Sequence, residues 1–192
     1  MLLLGICLIS CQPQAQKKEK ISASNESLSL STKTDKTLNV IELKNQAGLS
    51  DIVVIPKGFE FSQDSLKISD ADPLSAVFLA DLDANGFEEI YMVTCSTGSG
   101  SYGSILAYAS NSDKSLSPIY VRPISENDLA PGALFEGYMG HDSIFLEETF
   151  LKRSFPKYKA EDPNCCPTGG TQTIVYQLKA GEASWQLEPR TP

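Results

Sequence analysis

The residue stretch most able to do chemistry is Thr97-Gly98-Ser99-Gly100-Ser101-Tyr102-Gly103, which packs three glycines, two serines and a tyrosine into seven positions. Gly98, Gly100 and Gly103 satisfy the spacing GxGxxG. A dinucleotide-binding loop must open a helix after a strand, and here a β-like run, Ile105–Ala109, follows instead. No Lys follows Gly103, which removes the phosphate-loop reading. No Gly-x-Ser-x-Gly elbow is present, so a hydrolase nucleophile of that type is not indicated. What remains is a hairpin loop offering Ser99 and Tyr102 between mobile glycines. A plain connector is the blander reading. A rim Tyr nevertheless supplies rigid contact area together with a hydroxyl.

Two further constellations compete. His141 is the single histidine, beside Asp142. A Ser–His–Asp arrangement would have to join it to Ser99 or Ser101, although a lone His next to an Asp is more often structural. Asp81-Leu82-Asp83-Ala84-Asn85-Gly86-Phe87-Glu88-Glu89 begins like a calcium loop, with oxygen side chains at Asp81, Asp83 and Asn85. The twelfth position of an EF-hand would be Met92, which cannot ligate a hard cation, so an EF-hand is excluded. A shorter calcium loop closed by Glu89 stands against a simple Asn85-Gly86 hairpin turn with solvated acids, the reading that short motifs favour. Glu147-Glu148 falls on opposite faces of one expected strand, which speaks against a paired acid/base site.

Short strands must position these groups. Leu74–Ala80 is an apolar run. Phe87–Cys95 sets Ile90 and Met92 on one face, Tyr91 and Val93 on the other. Tyr102–Ala109 sets Ile105 and Ala107 against Leu106 and Tyr108. Ile144–Phe150, Thr171–Leu178 and Ser184–Leu187 complete the set, and Leu151–Lys159 reads as a short helical turn. Asn85-Gly86, the loop at 96–101, Pro131-Gly132, Gly169-Gly170 and Ala180-Gly181 punctuate them. The expectation is an all-β, mainly antiparallel single domain, a β-sandwich or open barrel.

The N-terminal third reads differently. Met1–Ile9 is a short apolar run ending at Ser10-Cys11, too short to span a bilayer and fit for a signal peptide. Leu8-Ile9-Ser10-Cys11 resembles the bacterial lipobox, which implies a lipidated Cys11 and a membrane-anchored, periplasmic or cell-surface protein. Residues 1–10 are then the signal peptide. Residues 11–45 are the lipidated Cys and a tether, because 12–45 holds no aromatic residue and is rich in polar ones. Val40-Ile41-Glu42-Leu43 is the one strand-like run inside it. Residues 46–192 form the domain.

Charge divides along the same boundary. Residues 12–45 carry six Lys and four acids, whereas 46–192 are net −10. A domain this acidic is a poor match for nucleic acid and would attract a basic protein, though acidity also serves solubility. Cys7 leaves with the signal and Cys11 takes the lipid. Cys95, Cys165 and Cys166 remain in an oxidising compartment. Cys95 pairing with Cys165 or Cys166 is the expected disulfide, a Cys165–Cys166 bridge the alternative. No CxxC or His/Cys ligand spacing points to zinc, and no cofactor is expected.

Three stretches together resemble the periplasmic inhibitors of invertebrate-type (I-type) lysozyme. They are Asp81–Glu89 continuing into Tyr91–Thr94; Ser96–Tyr108, where Ser99-Gly100-Ser101-Tyr102 matches the family's Ser-Gly-x-Tyr motif; and Gly137-Tyr138-Met139-Gly140-His141-Asp142 through Phe155-Pro156, with Thr168–Thr171 and Trp185–Leu187 beyond. The resemblance spans roughly residues 75–187. It implies an antiparallel β-sandwich, often a homodimer, without enzymatic activity, whose Ser99–Tyr102 loop enters the cleft of a lysozyme partner. The lipobox and the Cys165-Cys166 pair depart from the pattern. Two rival classes remain: a calcium-stabilised binding or adhesion module, and a Ser hydrolase using Ser99 or Ser101 with His141.

Overall fold

The computed structural model describes residues 27–45 and 48–190. The signal segment, Cys7, Cys11 and the tether as far as residue 26 lie outside the described residues. Within them run thirteen strands. They are β1 Ser27–Ser31, β2 Thr37–Lys44, β3 Ser50–Lys57, β4 Leu66–Ala71, β5 Leu74–Ala80, β6 Glu89–Cys95, β7 Gly103–Asn111, β8 Ser115–Pro118, β9 Tyr120–Val121, β10 Ser143–Glu147, β11 Phe150–Pro156, β12 Thr171–Ala180 and β13 Trp185–Arg190. One four-residue helix, α1 Glu126–Leu129, follows β9.

The strands form three sheets, ordered β1-β2-β3-β4, β5-β6-β7-β8 and β10-β11-β12-β13-β9. Neighbours are antiparallel except for β13 and β9. The middle sheet is apolar on both faces. Ile90 and Met92 of β6 pack with Leu38, Val40, Ile52 and Val54 of the first sheet. Tyr91 and Val93 pack with Ile144, Leu151, Tyr176 and Leu187 of the third. The side-chain period of two sends alternate residues of one strand into two separate cores. That is why β6 is apolar at four successive positions, Ile90 to Val93. The architecture is a layered all-β sandwich, and it does not close into a barrel.

Four expectations are corrected. The tether does not extend to residue 45, because β1 and β2 fall inside it. Ser27-Leu28-Ser29-Leu30-Ser31 alternates with period two, and its Leu30 packs on the first core. Low aromatic content hid a pattern that burial of Leu38 and Val40 completes. Second, Leu151–Lys159 holds no helical turn: β11 occupies it as far as Pro156, with Leu151, Arg153 and Phe155 inward. Third, Ile144–Phe150 is not one run. Glu147 pairs with Phe150 around a two-residue turn in which Glu148 has φ 54°, so Glu147 ends a strand and Glu148 lies in the turn. Fourth, the disulfide joins Cys165 to Cys166 in the β11–β12 connection, and Cys95, at the end of β6, lies outside it.

Candidate functional site

The Gly-rich loop spans 96–102 and joins β6 to β7, as the hairpin reading expects. Its base is closed twice between the same two residues. Ser96 N–H donates to the Tyr102 carbonyl (2.9 Å), and Tyr102 N–H donates to Ser96 Oγ (2.8 Å). Inside the loop, Ser101 N–H donates to the Gly98 carbonyl at 3.0 Å, with Ser101 at φ 42°. Thr97, Gly98 and Ser99 are exposed. Tyr102 is 47% exposed.

A second loop, 137–142, braces the first. His141 N–H donates to the Gly100 carbonyl at 2.6 Å. Gly140, at φ 87°, brings its Cα so near that a Cβ there would lie 2.1 Å from the same oxygen. Only glycine fits this approach. The Tyr102 ring meets the Tyr138 ring edge-on, centroids 5.8 Å apart. The two loops are therefore one structural unit.

Beneath both loops sits a buried ionic group. Asp142 is 2% exposed and Arg153 4%. Asp142 Oδ2 accepts from Gly103 N–H (2.6 Å) and from the Tyr138 hydroxyl (2.7 Å). Arg153 Nη2 donates to the Gly103 carbonyl (3.2 Å) and Nη1 to the Tyr138 hydroxyl (3.3 Å). The charges themselves are 3.7 Å apart. Both backbone polar groups of Gly103, the residue after Tyr102, are thus held by one acid and one base. Burial pushes the Asp142 carboxyl up, while Arg153, the Tyr138 hydroxyl and the Gly103 N–H pull it partly back. Beside this group lies a cleft of about 380 Å³ lined in part by Tyr102, Val121, Arg122, Tyr138 and Arg153.

His141 does not stand as the base of an Asp142-oriented triad. Asp142 Oδ2 is taken by Gly103 and Tyr138, while Asp142 Oδ1 and His141 Nε2 are both buried without a hydrogen-bond partner. The orienting hydrogen bond that such a triad needs is missing from this pair. The His141 backbone serves the loop instead.

The third constellation is the β5–β6 turn. Asp81, Asp83 and Glu89 each bring a carboxylate oxygen to within 4.8 Å of the others. Asn85 N–H donates to Asp81 Oδ1 (3.0 Å) and Asp83 Oδ1 (3.1 Å), its amide donates to Asp83 Oδ2 (2.9 Å), and Gly86 N–H donates to Asp81 Oδ2 (2.9 Å). Asn85 Oδ1 accepts from Phe87 N–H (2.7 Å). The acids are not simply solvated, as the turn reading expects. Asp81 and Asp83 are half-buried and Glu89 is 0% exposed. Burial pushes the Glu89 carboxyl up to about 7. Asp83 and Asp81 act with burial towards that value, and Leu82 N–H and the Tyr91 hydroxyl act against it.

Sequence reasoning placed Ser99–Tyr102 on a loop and Asp81–Glu89 at a turn. It gave Asp142 and Arg153 no joint role. A signal existed: Arg153 alternates with Leu151 and Phe155 on an inward strand face, and an inward Arg demands an acidic partner. The partner's place, 11 positions earlier in a loop, has no local signature. Compared with known proteins, the chain matches no family model, no curated protein and no solved structure.

Proposed function

We propose that this chain is an exported, lipid-anchored protein inhibitor of a lysozyme, of I-type by preference, which presents the Ser99–Tyr102 loop to the enzyme's active-site groove. The observation that carries the reading is the state of Tyr102. It stands exposed on a loop whose base, middle and exit are each fixed by hydrogen bonds with Ser96, His141 and Asp142. A loop ordered before binding loses little conformational freedom on association, and that is the usual route to tight inhibition. Lysozymes hydrolyse with two carboxyl groups in a groove, so the Ser99 and Tyr102 hydroxyls are suited to donate to those carboxylates. The net −10 of residues 46–192 favours encounter with a basic enzyme. Cys11, with its lipid, would hold the domain at a membrane surface. No catalysis by the chain is required.

The test is cell-wall lysis by I-, c- and g-type lysozymes titrated with the purified chain. Inhibition of at least one class at or below micromolar chain is expected. Lysis of all three classes undisturbed at that concentration would reject the proposal.

A further inference from the structure

The β5–β6 loop has no part in that reading, yet it carries the most chemically demanding arrangement among the described residues. Three carboxylates converge within 4.8 Å. Left alone they repel one another. Clustered surface acids are common and prove nothing, but Glu89 is not a surface acid. Its side chain is fully buried. Its Oε2 is anchored by Leu82 N–H (3.0 Å) and the Tyr91 hydroxyl (3.1 Å). Its Oε1, equally buried, has no hydrogen-bond partner. A buried carboxylate oxygen without a partner is expensive, and placing two more acids beside it raises the expense. A cation removes both penalties together.

We propose that Asp81, Asp83 and Glu89 bind one calcium ion. The donors are all oxygen, with neither Cys nor His in the group, which selects a hard cation. Calcium holds its oxygens at about 2.3–2.6 Å and magnesium at about 2.0–2.1 Å. Ligands facing each other across calcium therefore stand just under about 5 Å apart, across magnesium only about 4 Å. The three oxygens, all within 4.8 Å of one another, can reach an ion of calcium's size together. Asn85 is a brace and not a ligand: its N–H and amide groups hold Asp81 and Asp83, while its Oδ1 accepts from Phe87. The ion would fix the β5–β6 loop. The neighbouring Glu88 accepts from Lys33 N–H (2.7 Å) and faces the Lys33 ammonium (3.6 Å), which links this loop to the turn between β1 and β2.

The experiment uses the full chain after chelator treatment. Calorimetric titration with calcium is expected to show one ion per chain, and the melting temperature to rise by several degrees at saturating calcium but less with magnesium. Terbium in place of calcium should luminesce on tyrosine excitation, since the Tyr91 hydroxyl is 3.1 Å from Glu89. Asp83→Asn, at a half-buried position, should weaken calcium by about tenfold or more through loss of ligand charge. Should that variant fail to fold, terbium luminescence of the native chain and its displacement by calcium decide the matter. No binding at millimolar calcium, equal stabilisation by magnesium, or undiminished binding by a folded Asp83→Asn chain would overturn the proposal. Tyr102→Ala should bind calcium like the native chain, so this site and the inhibitory loop succeed or fail separately.

Discussion

Gly140 and Gly100 touch backbone to backbone. A single methyl group on Gly140 would lie 2.1 Å from the Gly100 carbonyl oxygen, which at the same time accepts the N–H of His141 at 2.6 Å. At this contact two segments forty residues apart meet through backbone atoms alone. The exposed Tyr102 owes its fixed setting to this contact and to Asp142 beneath it. A loop rich in glycine is thereby made rigid from outside, which a hairpin of its own composition would not be.

Gly140→Ala should therefore damage the loop more than the fold. The left-handed φ alone costs on the order of 1–3 kcal/mol in a non-glycine residue, and the clash adds to it. We expect a lower melting temperature with the β-sheet circular dichroism retained, and a loss of lysozyme inhibition larger than the loss of stability predicts. Inhibition unchanged in a folded Gly140→Ala chain would show that loop setting does not matter to binding.

Tyr102→Ala should be the most harmful single change to inhibition. A central interface Tyr often contributes about 2 kcal/mol or more, roughly thirtyfold in affinity. Ser99→Ala should cost about 1–2 kcal/mol, the scale of one hydrogen bond to a charged group. Neither should move the melting temperature much, because Ser99 is exposed and Tyr102 half so. Inhibition constants and thermal melts on the two variants check both halves.

Arg153→Met should destabilise strongly, by about 3–5 kcal/mol, because it leaves Asp142 charged, buried and unpaired. Arg153→Met combined with Asp142→Asn should recover part of that loss, since the orphaned charge is then gone. Urea unfolding of the single and double variants measures the coupling. A double variant no more stable than Arg153→Met would mean that the pair does not act as a pair.

Acid should weaken the region around α1. Arg122 donates two hydrogen bonds to Asp128, at 2.8 and 2.9 Å, and holds its carboxyl far below the ordinary carboxylate range. The folded value lies below the unfolded one. The stabilisation is therefore complete above the unfolded value near 3.8 and fades as pH falls through that point towards the folded one. Asp128→Asn should flatten the acid limb of a stability-against-pH curve, with little change in its shape at neutral pH. An acid limb identical in the two proteins would contradict this assignment.

Much of the fold is legible in the residues taken alone. The apolar run Leu74–Ala80, the period-two alternation of Phe87–Cys95 and Tyr102–Ala109, and the run Thr171–Leu178 mark strands, and the alternation sets faces, since side-chain direction is a property of the strand itself. The glycines at 98, 100 and 103 mark the loop, and Asp81, Asp83 and Asn85 mark the acidic turn, because both depend on neighbours in sequence. Tertiary structure alone decided the rest. Ile90 and Tyr91 look alike as apolar residues, yet only the stacking of three sheets assigns them to different cores. Ser27–Ser31 is too polar to be a strand on its own account, and becomes one because β2 offers it an edge. The bracing of Tyr102 by Gly140, Asp142 and Arg153 joins residues 38 to 51 positions apart. No local propensity acts over such a distance, so burial of Arg153 and its demand for a charged partner had to be met in three dimensions before the loop could be fixed.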